Sequence, residues 1–159
     1  MLAPVLLLAF AAVAPLRTGD VFPGFSGQTI SGRTVALPEA GKQLVVIFSF
    51  SRAAGDDDRH WRERLEGVEC YGIIMLESVP RLRRGMVASG IKSGMPQAVR
   101  DRTIISYKEE VIWKQRLAVY DDKRAYVMLV DGSGKVVWTN SGAFTESECT
   151  KLLSMSKFP

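Results

Sequence analysis

The sequence predicts an α/β domain with a central mixed β-sheet, helices on its faces and a β-hairpin at its N-terminal side. Three observations carry this. Leu44–Phe50 and Tyr71–Leu76 are near-continuous apolar runs rich in β-branched and aromatic residues, the pattern of strands covered on both faces. Each run is followed by a polar stretch with apolar residues at helical spacing, the crossover that a parallel strand pair needs. Ala125–Val130 and Lys135–Thr139 flank Asp131-Gly132-Ser133-Gly134, which reads as a hairpin with a glycine-rich turn.

The elements follow in order. Residues 17–43 hold five glycines and two prolines around the alternating pieces Gln28-Thr29-Ile30 and Arg33–Leu37, a small hairpin or meander. After the strand Leu44–Phe50 and a loop ending at Gly55, Asp56, Asp57 and Asp58 open a helix, where their charge suits the positive end of its dipole. Trp61 and Leu65, four apart, are expected to face the sheet. After Tyr71–Leu76, Ser78 and Pro80 read as cap and first-turn residue of a second helix. Its apolar stripe is Leu82, Met86, Val87 and Ile91, and Gly94 and Pro96 close it. Thr103–Tyr107 reads as a short strand and Glu110–Leu117 as a short helix. A last helix starts near Thr145, with Glu148 three residues on as a capping box.

Composition bounds the function. The chain has 159 residues, 47% apolar and 24% charged, with a net charge of +4. That is one ordinary domain, large enough to fold without metal or disulfide. The mild positive charge permits an anionic membrane surface or acidic partner, and no nucleic acid is expected. The two cysteines, Cys70 and Cys149, are far apart and form no Cys-x-x-Cys. That excludes a dithiol site and a zinc knuckle of that type. They are expected to be structural, and spacing alone does not test whether they pair. No cofactor or metal is expected.

The first sixteen residues carry no charged side chain. Leu2–Ala14 is too short for a comfortable membrane span, which takes about 20 residues, and fits the apolar core of a signal peptide. Residues 1–16 are therefore expected to be a signal peptide, cleaved near Ala12, or a short apolar anchor. Residues 17–159 form the domain, and the protein is expected to be exported, periplasmic or membrane-associated on the outer side.

Few residues look chemical. His60, the only histidine, lacks the partners of a triad or metal site and reads as a solvated helix residue. Arg81, Arg83 and Arg84 fall in the first turns of a helix, where positive charge opposes the dipole. They read either as a solvated face or as a contact for an anionic headgroup, phosphate or acidic partner. Arg52 and Arg124 form a second candidate binding spot.

Gly19-Asp20-Val21-Phe22-Pro23, the strand Leu44–Phe50 with its loop, and the hairpin Tyr126–Trp138 together resemble the thioredoxin-like superfamily. Phe48-Ser49-Phe50-Ser51-Arg52, Trp61 and the run from Ala125 through Trp138 to Ser141-Gly142 are similar, more narrowly, to the family of the mitochondrial ATP synthase assembly factor and its bacterial relatives. The resemblance implies a thioredoxin-like fold over about residues 19–155 and a chaperone-like, assembly role with a protein partner. It also places a redox cleft at the start of the first helix, where active enzymes keep a thiolate whose pKa the helix dipole lowers. Here Ser51-Arg52-Ala53-Ala54 stands in that loop, and Arg124-Ala125 stand where the fold usually has a cis-proline. A serine without a base is a poor nucleophile. The expectation is a redox-inactive binding or assembly module. The alternatives are a thiol oxidoreductase or peroxiredoxin-like enzyme with relocated cysteines, and a small-ligand binding protein using the former redox cleft.

Overall fold

The structure is a computed structural model and describes residues 12–156; the apolar run at the N-terminus, through residue 11, lies outside them. The described residues form twelve elements, eleven of them in the expected order. The hairpin is β1 (Phe25–Gln28) and β2 (Thr34–Leu37). Then come β3 (Leu44–Ser49), α1 (Ala54–Arg64), β4 (Cys70–Met75), α2 (Arg81–Ser93), α3 (Gln97–Arg100) and β5 (Thr103–Ser106). The chain ends with α4 (Glu110–Arg116), β6 (Tyr126–Val130), β7 (Val136–Asn140) and α5 (Glu146–Met155).

Five strands form one sheet in the order β5-β4-β3-β6-β7. β3 is parallel to β4, with Val46 opposite Tyr71, and antiparallel to β6, with Val46 opposite Met128. Every residue of β3 is buried, because both faces of this central strand are covered. Alternation sends Leu44, Val46 and Phe48 to one side and Val45 and Ile47 to the other. The first side packs on Phe22, Phe25, Trp113 and Leu117, from the hairpin region and α4. The second packs on Trp61 and Leu65 of α1, Trp138 of β7, and Cys149 and Leu152 of α5. The hairpin joins the sheet edge through a Thr29–Ile104 bridge. Gly27 permits the approach, since a Cβ there would stand 2.8 Å from Ile104 Cγ2. The segment Gly19–Phe22 closes against the final hairpin, with the Gly19 N–H on Val136 O at 2.8 Å and the Phe22 N–H on Gly134 O at 2.9 Å.

Several local expectations are corrected. Pro80 is the N-cap of α2 with no side-chain cap bond, and the Ser78 N–H instead donates to Glu110 Oε2 at 2.9 Å. The supposed stripe of α2 is not one face. At ~100° per residue, Leu82 and Met86 stand on the side opposite Val87 and Ile91. Val87, Ala88 and Ile91 are half-buried, Leu82 is 100% and Met86 72% exposed, and α2 buries no residue fully. The expectation joined two short i, i+4 pairs into a single stripe. The short helix α3 between Pro96 and β5 was not anticipated. Thr145 does cap α5, its Oγ1 accepting the Glu148 N–H at 3.1 Å, but the Glu148 carboxylate turns to Lys151 and leaves the box half made.

Candidate functional site at the carboxyl edge of the sheet

In open α/β sheets the carboxyl ends of parallel strands are where ligands bind, beside a strand that reverses the order. Here that edge is built from the loop after β3, the loop between β4 and α2, the start of α4, and the loop before β6.

Phe50 leaves β3 buried, with its ring stacked 6.5 Å from Phe48 and edge-on 6.2 Å from Tyr126. Ser51 Oγ then donates to Asp122 O at 2.6 Å and accepts the Ala54 N–H at 3.4 Å. The loop where the resemblance would put sulfur holds none, and its Ser51 hydroxyl is a tie between two loops. That tie brings Arg52 and Arg124 to the same end of the molecule. Both are exposed. Arg124 Nε lies 3.6 Å from Asp121 Oδ2, whereas the Arg52 guanidinium makes no hydrogen bond or ion pair among the described residues, only its carbonyl accepting the Gly55 N–H at 3.1 Å.

Asp57 and Asp58 do more than neutralise a helix end. The N-cap of α1 is Ala53, with no side-chain cap. Asp57 is buried, and its carboxylate accepts the Ala125 N–H at 2.9 Å and the Phe144 N–H at 2.8 Å. It thereby fixes both β6 and the approach to α5 against α1. Asp58 is buried and accepts from Arg62 Nε at 2.9 Å. Burial pushes its carboxyl above the ordinary value, and Arg62 opposes this. The Arg62 guanidinium lies across Gly72, where a Cβ would come within 1.5 Å of Nη2.

The other wall is a reciprocal pair of glutamates. Glu110, buried at the start of α4, accepts the Ser78 N–H, while Glu77 Oε2 accepts the Glu110 N–H at 2.8 Å. Burial pushes the Glu110 carboxyl up, but Lys114 Nζ at 2.9 Å and the Ser78 N–H outweigh it and hold it below the ordinary range. Lys114 also lies over the Phe50 ring, 5.5 Å from its centre.

The three arginines at the start of α2 do not act as a set. Arg84 turns back, donating to Val79 O and Glu77 O at 2.9 and 2.8 Å, with its guanidinium 4.9 Å from the centre of the Tyr107 ring. Arg81 and Arg83 are exposed, and their guanidinium groups have no partner among the described residues. Sequence reasoning missed two neighbours of this edge. Val111 on α4 is 66% exposed and Tyr120 in the following loop 73%. Tyr120 leans edge-on against Tyr126, 6.4 Å away. Val111 stands two residues before Trp113, about 200° round the helix, so spacing alone puts it on the outer face, whereas Tyr120 sits in a loop that has no periodicity to read.

The remaining candidates lie elsewhere. His60 is exposed, its ring 5.8 Å from Phe144. Cys70 and Cys149 are free and buried. Cys70 opens β4, at the opposite edge of the sheet, and burial pushes its thiol up to about 12; burial also raises that of Cys149. A cleft of about 530 Å³ lies between Phe25, Leu37 and the turn Ser106–Glu109, and neither Arg52 nor Arg124 lines it. Among the described residues no group of acids, histidines and cysteines is placed to hold a metal ion, and no helix is long and apolar enough to cross a membrane.

This arrangement agrees with comparison to known proteins. The profile of the ATP10 protein family matches residues 18–157. The chain belongs to that family. No curated protein matches the chain in sequence. Solved structures agree with the ATP10 chain in fold. A thio-disulfide isomerase from Thermus thermophilus is 21% identical, with a TM-score of 0.61, and the match covers 91% of this chain and 99% of that one. A peroxiredoxin-like protein from Aquifex aeolicus is 13% identical, with a TM-score of 0.60 and 91% of each chain covered. BsSco, a member of the Sco family of cytochrome c oxidase assembly proteins, is 15% identical, with a TM-score of 0.56 and 89% and 96% covered. At these identities the likeness is one of fold: the ATP10 chain is thioredoxin-like, with a mixed five-stranded sheet, flanking helices and an N-terminal hairpin.

Proposed function

We propose that this protein is a redox-inactive assembly module of the cell envelope, which holds a protein client against the carboxyl edge of its sheet. The observation that carries the reading is the β3–α1 loop. The loop Ser51–Ala54 holds no sulfur, its Ser51 is engaged with Asp122, and the surrounding surface exposes Val111, Tyr120, Arg52 and Arg124. Exposed apolar side chains among cations suit a protein surface with apolar and acidic groups. Family membership supports an assembly role with protein partners. Relocated-cysteine chemistry is disfavoured by placement. A thiol titrating near 12, buried at the far end of β4, is almost entirely protonated at neutral pH and is a poor nucleophile. The envelope location rests on the uncharged apolar run Leu2–Ala14.

Three measurements test this. A photo-crosslinking side chain at position 111 or 120 is expected to give a discrete protein adduct in the native host, and one at Glu63, exposed on α1, is not. Equal labelling at all three positions sinks the binding face. Purified protein is expected to reduce insulin and turn over peroxide no faster than a free-thiol control; turnover that disappears in Cys70→Ser overturns the redox-inactive reading. In the native host the chain is expected to begin near Ala12 or to stay with membranes, and an intact Met1 in the cytosolic fraction refutes the location.

A further inference from the structure

The helix α2 is built unlike any helix that serves a core. Its inner side, Arg84, Val87, Ala88 and Ile91, rests half-buried on the domain. Taking ~100° per residue, Leu82 and Met86 project directly away from the protein, one turn apart. Arg83 falls on one flank of that ridge, and Arg81 with Lys92 on the other. Leu82 is 100% exposed and Met86 72%. Between Pro80 and Arg100 there are five basic side chains and no acid, so this segment carries +5 in a chain whose net charge is +4. Arg84 and Arg100 donate to loop carbonyls. Arg81, Arg83 and Lys92 are exposed, and their charged groups make no hydrogen bond or ion pair among the described residues.

A ridge of large apolar side chains with cations on both flanks is the arrangement by which a helix lies in a bilayer interface. We propose that α2 docks this domain on an anionic lipid surface, with Leu82 and Met86 entering the acyl boundary and Arg81, Arg83 and Lys92 meeting headgroup phosphates. This does not rest on the client-binding reading. A bilayer fits better than a protein groove for two reasons. The helix is about 20 Å long and about 10–12 Å across, well short of the ~800 Å² per partner that a stable protein interface takes. A segment with cations and no acid also matches a surface of uniform negative charge, whereas protein partners present both signs.

The test is co-sedimentation of the full chain with vesicles of phosphatidylcholine, with and without about one-third phosphatidylglycerol. The run Leu2–Ala14 is uncharged, so any binding it adds does not depend on lipid charge. The parent is expected to prefer the anionic vesicles and to lose that preference at high salt, where exposed charges are screened. Arg81→Gln with Arg83→Gln is expected to weaken anionic binding about 25-fold, on the order of fivefold per charge. Leu82→Gln with Met86→Gln is expected to weaken it on the order of tenfold while leaving the charge unchanged. Both pairs alter exposed positions and use a residue of good helix propensity, and unchanged circular dichroism and melting confirm that they fold. A parent that ignores lipid charge, or apolar-ridge variants that bind anionic vesicles as the parent does, overturns the proposal. An adduct between α2 and a protein in place of lipid binding overturns it equally.

Discussion

Helices α1 and α2 each follow a buried parallel strand of the same sheet, yet they end in opposite situations. α1 sends Trp61 and Leu65 into the sheet at 0% and 2% exposure, and its Asp57 bonds two distant backbone N–H groups. α2 buries nothing completely and turns its largest apolar side chains to solvent. The difference lies in how the apolar residues are spaced. Trp61 and Leu65 stack on one face, and the residues around them are charged. In α2, Leu82 and Met86 oppose Val87 and Ile91, so no rotation of the helix buries both pairs. One helix is a structural wall, and the other keeps an apolar ridge in solvent.

The largest test of this contrast is Trp61→Ala. It removes the biggest side chain from the second core and is expected to cost about 3–5 kcal/mol, read from urea denaturation. A cost below 1 kcal/mol would mean that α1 is no better packed than α2. Next is Asp57→Ala, which leaves the Ala125 and Phe144 N–H groups without their acceptor. Unsatisfied buried donors cost about 1–3 kcal/mol each, so roughly 2–4 kcal/mol is expected, with part of it recovered in Asp57→Asn.

Glu110, in the wall beside α2, gives a pH-dependent test of intermediate size. Its folded pKa is below the ordinary 4.5. Its ionised form therefore stabilises the fold above that value, and the contribution is lost as pH falls through the folded pKa. Glu110→Gln is expected to cost about 1–2 kcal/mol at pH 7, between an exposed pair and a fully buried one. The cost should vanish in strong acid, where parent and variant are both neutral at this position. A difference that persists there would make the role one of shape alone. The smallest effect belongs to Leu82→Ala, expected to change stability by under about 0.5 kcal/mol. A larger loss would show that the outer ridge of α2 is packed in solution after all.

The strands were legible because burial on both faces leaves a mark that short windows contain. Leu44–Phe50 is apolar nearly throughout, and the structure buries it from Leu44 to Phe50. The Asp131–Gly134 turn was legible for a different reason, since only a few residue types suit a tight hairpin. The missing sulfur in Ser51–Ala54 needed no structure at all. The site around that loop was only half legible. Arg52 and Arg124 are 72 positions apart, and what joins them is the Ser51–Asp122 bond, which no spacing announces. The three arginines of α2 looked alike in sequence, yet Arg84 faces a carbonyl cluster formed by the preceding loop.

By itself, then, the sequence determined the order of the strands and of every helix but α3, the hairpins and the absence of a Cys-x-x-Cys pair, because each follows from local pattern or from residues being present or absent. The tertiary structure alone decided which side of α2 faces water, that Asp57 serves β6 and not its own helix end, and that Ser51 is a tie between loops. Each of those depends on which neighbours reach a residue from far along the chain. A helix repeat shows that two faces exist, but only the packed sheet selects the one that is covered.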